Sequence, residues 1–97
     1  MKKELIIPPA SEDAKEAIEV LRAWVIDKEL HCSIAPEIWK DDPGCWGIVL
    51  ADVANHISDA LEQSEKLNKE QVLSSIRDMF NRELQSPTDT PSGDYVD

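Results

Sequence analysis

Ninety-seven residues suffice for one domain, since a chain of this length buries only about two-thirds of the surface it exposes when unfolded and cannot fill a second core. Twenty carboxylates against ten Lys and Arg give a net charge of −10 at pH 7, a field that repels phosphate backbones and anionic lipid. The basic residues also stand singly along the chain, so nucleic acid and membrane surfaces are excluded as partners; the apolar share of 41% marks a folding sequence.

Residues 1–16 read as an entry segment. Leu5, Ile6 and Ile7 stop at Pro8 and Pro9, too short a run for the apolar region of a secretory signal, and residues 10–13 (ASED) suit a single capped turn. No run of eighteen apolar residues occurs; the best stretch, 46–54, is broken by Asp52. Cys32 and Cys45 form no CxxC pair, so both are expected as reduced thiols in a cytoplasmic protein.

Residues 18–26 (IEVLRAWVI) are rich in β-branched and aromatic side chains, and 30–34 (LHCSI) alternate with period two before Pro36 stops them, which predicts a β-hairpin over 18–34. A helix over 12–26 competes through the stripe 14, 18, 21, 25, but the β-branched content favours the strand. With a loop at Lys28 and Glu29, Val25 opposes Cys32 and Ala23 opposes Ile34. Leu21, Ala23, Val25, Leu30, Cys32 and Ile34 then share one face; a one-residue slip would exchange the faces. The other side of the first strand offers Val20, Trp24 and Ile26. These need cover from the N-terminal segment or from a second chain, and are the interface candidates.

Asp42 as N-cap and Pro43 at the first helical position predict a helix over 43–64, with Trp46, Val49, Leu50, Val53, Ile57 and Ala60 on its buried stripe. A second helix over 69–84 is signalled by Asn68 as N-cap, Gln71 in a capping box and Leu67 stapled to Val72, with Val72, Leu73, Ile76, Met79, Phe80 and Leu84 as its stripe. The short link implies an antiparallel pair. Residues 85–97 are a Pro/Ser/Thr/Asp tail, expected to be disordered. The expected architecture is α+β in ββαα order: an N-terminal segment (1–16), a single domain (17–84) with the hairpin packed on the helix pair, and the tail.

Residues 20–25 (VLRAWV), 30–34 (LHCSI), 46–57 (WGIVLADVANHI) and 86–89 (SPTD), taken in that order, resemble a small proteobacterial family of about 90 to 100 residues described as a domain of unknown function. The resemblance spans nearly the whole chain. It implies a stand-alone bacterial cytoplasmic protein and brings with it no activity, cofactor or catalytic residue.

The sharpest chemical grouping is Cys45, Asp52, His56 and Asp59 along one flank of the first helix. A metal site would draw on His31, Asp52 and His56, since imidazole and carboxylate suit zinc, but an Asp52–His56 helical ion pair explains the same residues without four committed ligands. Cys45, near a helix N-terminus, has one feature of a reactive thiol, opposed by Asp42 close by. Phosphate loops, nucleophile elbows and HExxH motifs are absent, so no catalytic residue, no cofactor and no enzyme activity are expected. The sequence points to a protein-interaction or assembly module, taking a protein partner or forming a homodimer; the alternative is a metal- or small-ligand-binding protein using His31, Asp52 and His56.

Overall fold

A computed structural model describes residues 1–87 and the backbone of residues 94–95. Strand β1 (Leu21–Ile26) and strand β2 (Glu29–Ile34) form an antiparallel hairpin, followed by helix α1 (Gly44–Glu65) and helix α2 (Lys69–Gln85). The α+β class and the ββαα order are as the sequence reads, and residues 21–26 are strand, not helix.

The hairpin turns on two residues, Asp27 (φ 48°) and Lys28 (φ 72°), both left-handed, the backbone that matches the twist of the flanking strands. Leu21 therefore pairs with Ile34, Ala23 with Cys32 and Val25 with Leu30. This corrects the expected loop at Lys28 and Glu29 by one position at each end and moves every pairing by two residues. Because side chains alternate with period two, the expected apolar face survives the shift intact. The ladder is extended by one bond from Ala35 N–H to the carbonyl of Val20 at 3.1 Å.

Beyond β2, a 3-10 turn at Pro36–Trp39 leads toward α1, and Trp39 packs edge-on against Trp46 with ring centroids 5.1 Å apart and planes at 85°. That contact ties the connector to the first turns of α1. The helix begins at Gly44, one residue later than expected, and Asp42 does not cap it with its side chain. The N–H of Cys45 bonds instead to the backbone carbonyl of Asp42 at 3.0 Å, and that of Trp46 to the carbonyl of Pro43 at 3.0 Å. The turn conformation of 39–43 satisfies the first amides by itself, so the carboxylate is not needed there.

At its other end α1 closes on Lys66, in the left-handed conformation (φ 59°), with the N–H of Leu67 reaching back to the carbonyl of Leu61 at 3.4 Å. Asn68 then caps α2 as expected, its Oδ1 accepting from Gln71 N–H at 3.0 Å. Lys69 fastens the corner: its backbone N–H donates to Glu62 Oε2 at 3.2 Å and its ammonium lies 2.6 Å from Asp59 Oδ1. Asp59 raises the lysine pKa, chiefly through that hydrogen bond and then by charge. A raised lysine pKa means the contribution is complete below the ordinary lysine value and fades as pH climbs through the raised one.

Asp94–Tyr95 forms a third, two-residue strand, parallel to β2, pairing Asp94 with Ser33 and Tyr95 with Ile34. The remainder of the expected tail, 88–93 and 96–97, lies outside the described residues.

The packing departs from expectation most. Within the chain the hairpin scarcely contacts either helix; the helices contact each other, and α1 meets the connector. Among the described residues only Ser58 is fully buried, its hydroxyl donating to the carbonyl of Ala54 at 2.9 Å, and no apolar side chain is buried at all. Along α1 the less exposed stripe past its midpoint is Ala54, Ser58 and Leu61, and along α2 it is Val72, Leu73 and Ile76, in keeping with the contact between the two helices. Of the expected stripe of α1, Trp46 and Val49 are half-buried, while Leu50, Val53 and Ile57 stay 41%, 44% and 44% exposed.

Lys28→Gly removes the steric cost of a side chain at positive φ and raises stability by about 1 kcal/mol, whereas Asn68→Ala leaves the amide of Gln71 without its partner and lowers stability by about 1 kcal/mol. Urea unfolding of the two variants checks both signs.

Candidate protein-interaction surface

The hairpin has two unlike faces. On the inner one, Leu21, Ala23, Val25, Cys32 and Ile34 carry no charge, and Val25 is 75% exposed. The outer one mixes apolar and polar groups: Arg22 beside Ser33, Trp24 beside His31, Ile26 beside Glu29.

Arg22 anchors the outer face. Its guanidinium grips Glu19 with two bonds, Nε to Oε1 at 3.0 Å and Nη2 to Oε2 at 3.1 Å, and reaches Glu4 Oε2 through Nη1 at 2.9 Å. These carboxylates, Glu19 foremost, raise the arginine pKa further and keep the fork charged. The Glu4 bond holds the N-terminal segment alongside β1, and between them opens a cleft of about 830 Å³ bordered by Leu5, Ile7 and Pro8 and by both faces of the strand, Leu21 and Val25 as well as Trp24 and Ile26. The segment borders β1 without sealing either face, for Leu5, Ile6 and Ile7 remain 92%, 83% and 65% exposed.

Of the three interface candidates, Val20 and Trp24 are half-buried and Ile26 is exposed, all on or beside this outer side. Further apolar side chains, which the sequence pattern assigned to the monomer's interior, are exposed on the helix pair: Leu50, Val53 and Ile57 of α1 and Met79, Phe80 and Leu84 of α2. The periodicity identified those residues but could not say which chain would cover them.

The metal candidates are not gathered. His31 is on β2, 3.7 Å from Glu29 Oε2, while Asp52 and His56 are exposed on α1; among the described residues no group of three His, Cys, Asp or Glu side chains is placed to hold a metal ion. Both cysteines are free and half-buried. Burial pushes the Cys45 thiol pKa up, and the neighbouring Asp42 carboxylate adds to this by charge and hydrogen bonding. The geometry thus suppresses the thiolate that a helix N-terminus would otherwise favour. Asp42→Asn is expected to speed alkylation of Cys45 at pH 8 several-fold, read by mass spectrometry against Cys32 as internal reference.

Comparison with known proteins bears on these surfaces. The family described as "Domain of unknown function (DUF5076)" matches residues 4–88, a span that takes in the hairpin, both helices and the N-terminal segment from Glu4 onward. A solved structure from the photosynthetic bacterium Rhodopseudomonas palustrus CGA009, described as a "putative pyruvate dehydrogenase", is similar over 100% of this chain and 98% of its own, at 32% identity and a TM-score of 0.76. No curated protein matches the chain.

Proposed function

This chain belongs to the family of unknown function DUF5076, and from that premise we propose that it serves as a protein-interaction and assembly module, forming a homodimer and presenting Val20, Trp24 and Ile26 as anchors for a protein partner. One observation carries the reading: no apolar side chain among the described residues is buried within the chain, while sixteen large apolar residues are exposed on it. Exposed apolar side chains that gather into a large patch mark a contact with another macromolecule, and a chain with so many of them and no buried apolar residue among those described is suited to such a contact.

The chemistry of the outer face suits a protein partner. An indole flanked by aliphatic side chains and rimmed by Arg22, Glu19 and Glu29 has the make-up of an interface centre, apolar in the middle and charged at the edge. No helix among the described residues is long and apolar enough to cross a membrane, and the two free thiols suit a reducing compartment; a bacterial cytoplasmic setting completes the proposal.

Size-exclusion chromatography with light scattering is expected to give twice the 10.9 kDa of one chain. The assembled protein is expected to bind bis-ANS at the outer hairpin face, with Trp24→Asp cutting that binding several-fold. A strict monomer that binds no dye would overturn the reading.

A further inference from the structure

We infer that the second copy closes this fold by exchange, the inner hairpin face of each chain lying over the helix pair of the other. The inference rests on the homodimer proposed above and adds which surfaces meet.

Area comes first. The chain exposes 8719 Å², where a compact monomer of its mass exposes about 5,600 Å². The difference, about 3,000 Å², is of the same order as the roughly 1,000 to 2,500 Å² that each subunit of a large obligate dimer covers, so one further copy can account for most of it.

Complementarity decides the pairing. The inner face, with Leu21, Ala23, Val25, Cys32 and Ile34, is free of charge, and the helix pair exposes Leu50, Val53 and Ile57 of α1 and Met79 and Phe80 of α2, the latter two bordered by Arg77, Arg82 and Glu83. A sheet face laid over a helix pair is the ordinary two-layer solution for an α+β chain, and both layers are present. Strands of six residues run about 20 Å, long enough to lie across two helices spaced 8 to 10 Å apart. Yet within one chain the two layers scarcely touch.

The connector bears on this. Pro36–Trp39 is a turn whose tryptophan is held on Trp46 of α1, a fixed link between two layers that scarcely touch. When a hinge denies a chain its own closing contact, a second copy can supply the same contact reciprocally, which is the logic of exchanged dimers. The arrangement is isologous and covers both surfaces in one event. It also leaves Val20, Trp24 and Ile26 on the outside of each hairpin, free to serve the partner binding proposed above.

Dimers mixed from isotope-labelled and unlabelled wild-type chains test the arrangement by filtered NOE spectroscopy. The expected result is intermolecular NOEs from the methyls of Val25 and Ile34 to Val53, Ile57, Met79 and Phe80. Hairpin-to-helix NOEs arising only within one chain, or intermolecular NOEs running hairpin to hairpin and helix to helix, would overturn exchange while leaving a dimer. A monomer that still binds bis-ANS would remove the second copy but not the interaction reading, and a monomer that binds none would remove both. Val25→Asp places a charge where the lone chain exposes 75% of the side chain, so any strong effect must come from the assembly. It is expected to raise the dimer dissociation constant at least tenfold; an unchanged constant overturns the inference.

Discussion

Burial of apolar side chains is what this fold depends on and what one chain does not supply. Ordering about a hundred residues costs on the order of 100 to 200 kcal/mol of conformational entropy, and the principal compensation is removal of apolar surface from water. In the described residues that removal is partial everywhere: half-buried positions at the helix corner, at the Trp39–Trp46 contact and along the hairpin, and no interior. A radius of gyration of 15.3 Å, against about 12.5 Å for a compact chain of this length, says the same in another form. The hairpin ladder, the helix caps and the ion pairs at Arg22 and Lys69 define local shapes, but exposed ion pairs contribute little to stability. A hairpin extended only by the two-residue strand Asp94–Tyr95 is marginal on its own. Its stability has to come from what is laid against it.

Much of the local structure was legible because local chemistry decides it. Asn68 caps α2 since its short side chain reaches the N–H of Gln71, and the hairpin is extended because Val20, Val25 and Ile26 fit a pleated strand better than a helix. The apolar inner face was identified although the pairing register was not. The turn at Asp27 and Lys28 adopts the left-handed backbone at both positions without a glycine to announce it, so the sequence carried no mark distinguishing it from a loop one residue later. Period two protected the face from that error. Asp42 misled for the opposite reason: it is a preferred N-cap residue, but the turn before α1 already supplies backbone carbonyls to the first amides, and its carboxylate acts on Cys45 instead.

What sequence periodicity cannot reveal is ownership. Leu50, Val53, Ile57 and Phe80 recur at helical spacing because they are meant to be covered, and that pattern is identical whether the cover is the same chain or another. The expectation that the hairpin lies on its own helices came from this ambiguity. The candidate site was legible in the same partial way: the surplus of apolar residues at Val20, Trp24 and Ile26 pointed to an uncovered outer side, and the structure leaves Ile26 exposed beside an open cleft, but the helix surface was assigned to an interior that the single chain does not form. The likeness to a bacterial structure bearing an enzyme name extends the fold to that protein; chemistry is carried by sites, and a shared fold does not transfer one.

If the interior exists only between copies, folding and association are one equilibrium, and stability has to depend on protein concentration. Thermal unfolding followed by circular dichroism over a hundredfold range of concentration addresses this directly. Coupled folding predicts a midpoint that rises by about 3 to 5 °C for each tenfold increase in chain concentration, as expected for a dimer of this size. A midpoint that does not move across that range, in a fully reversible transition, would show that the single chain holds its own core and would contradict the account.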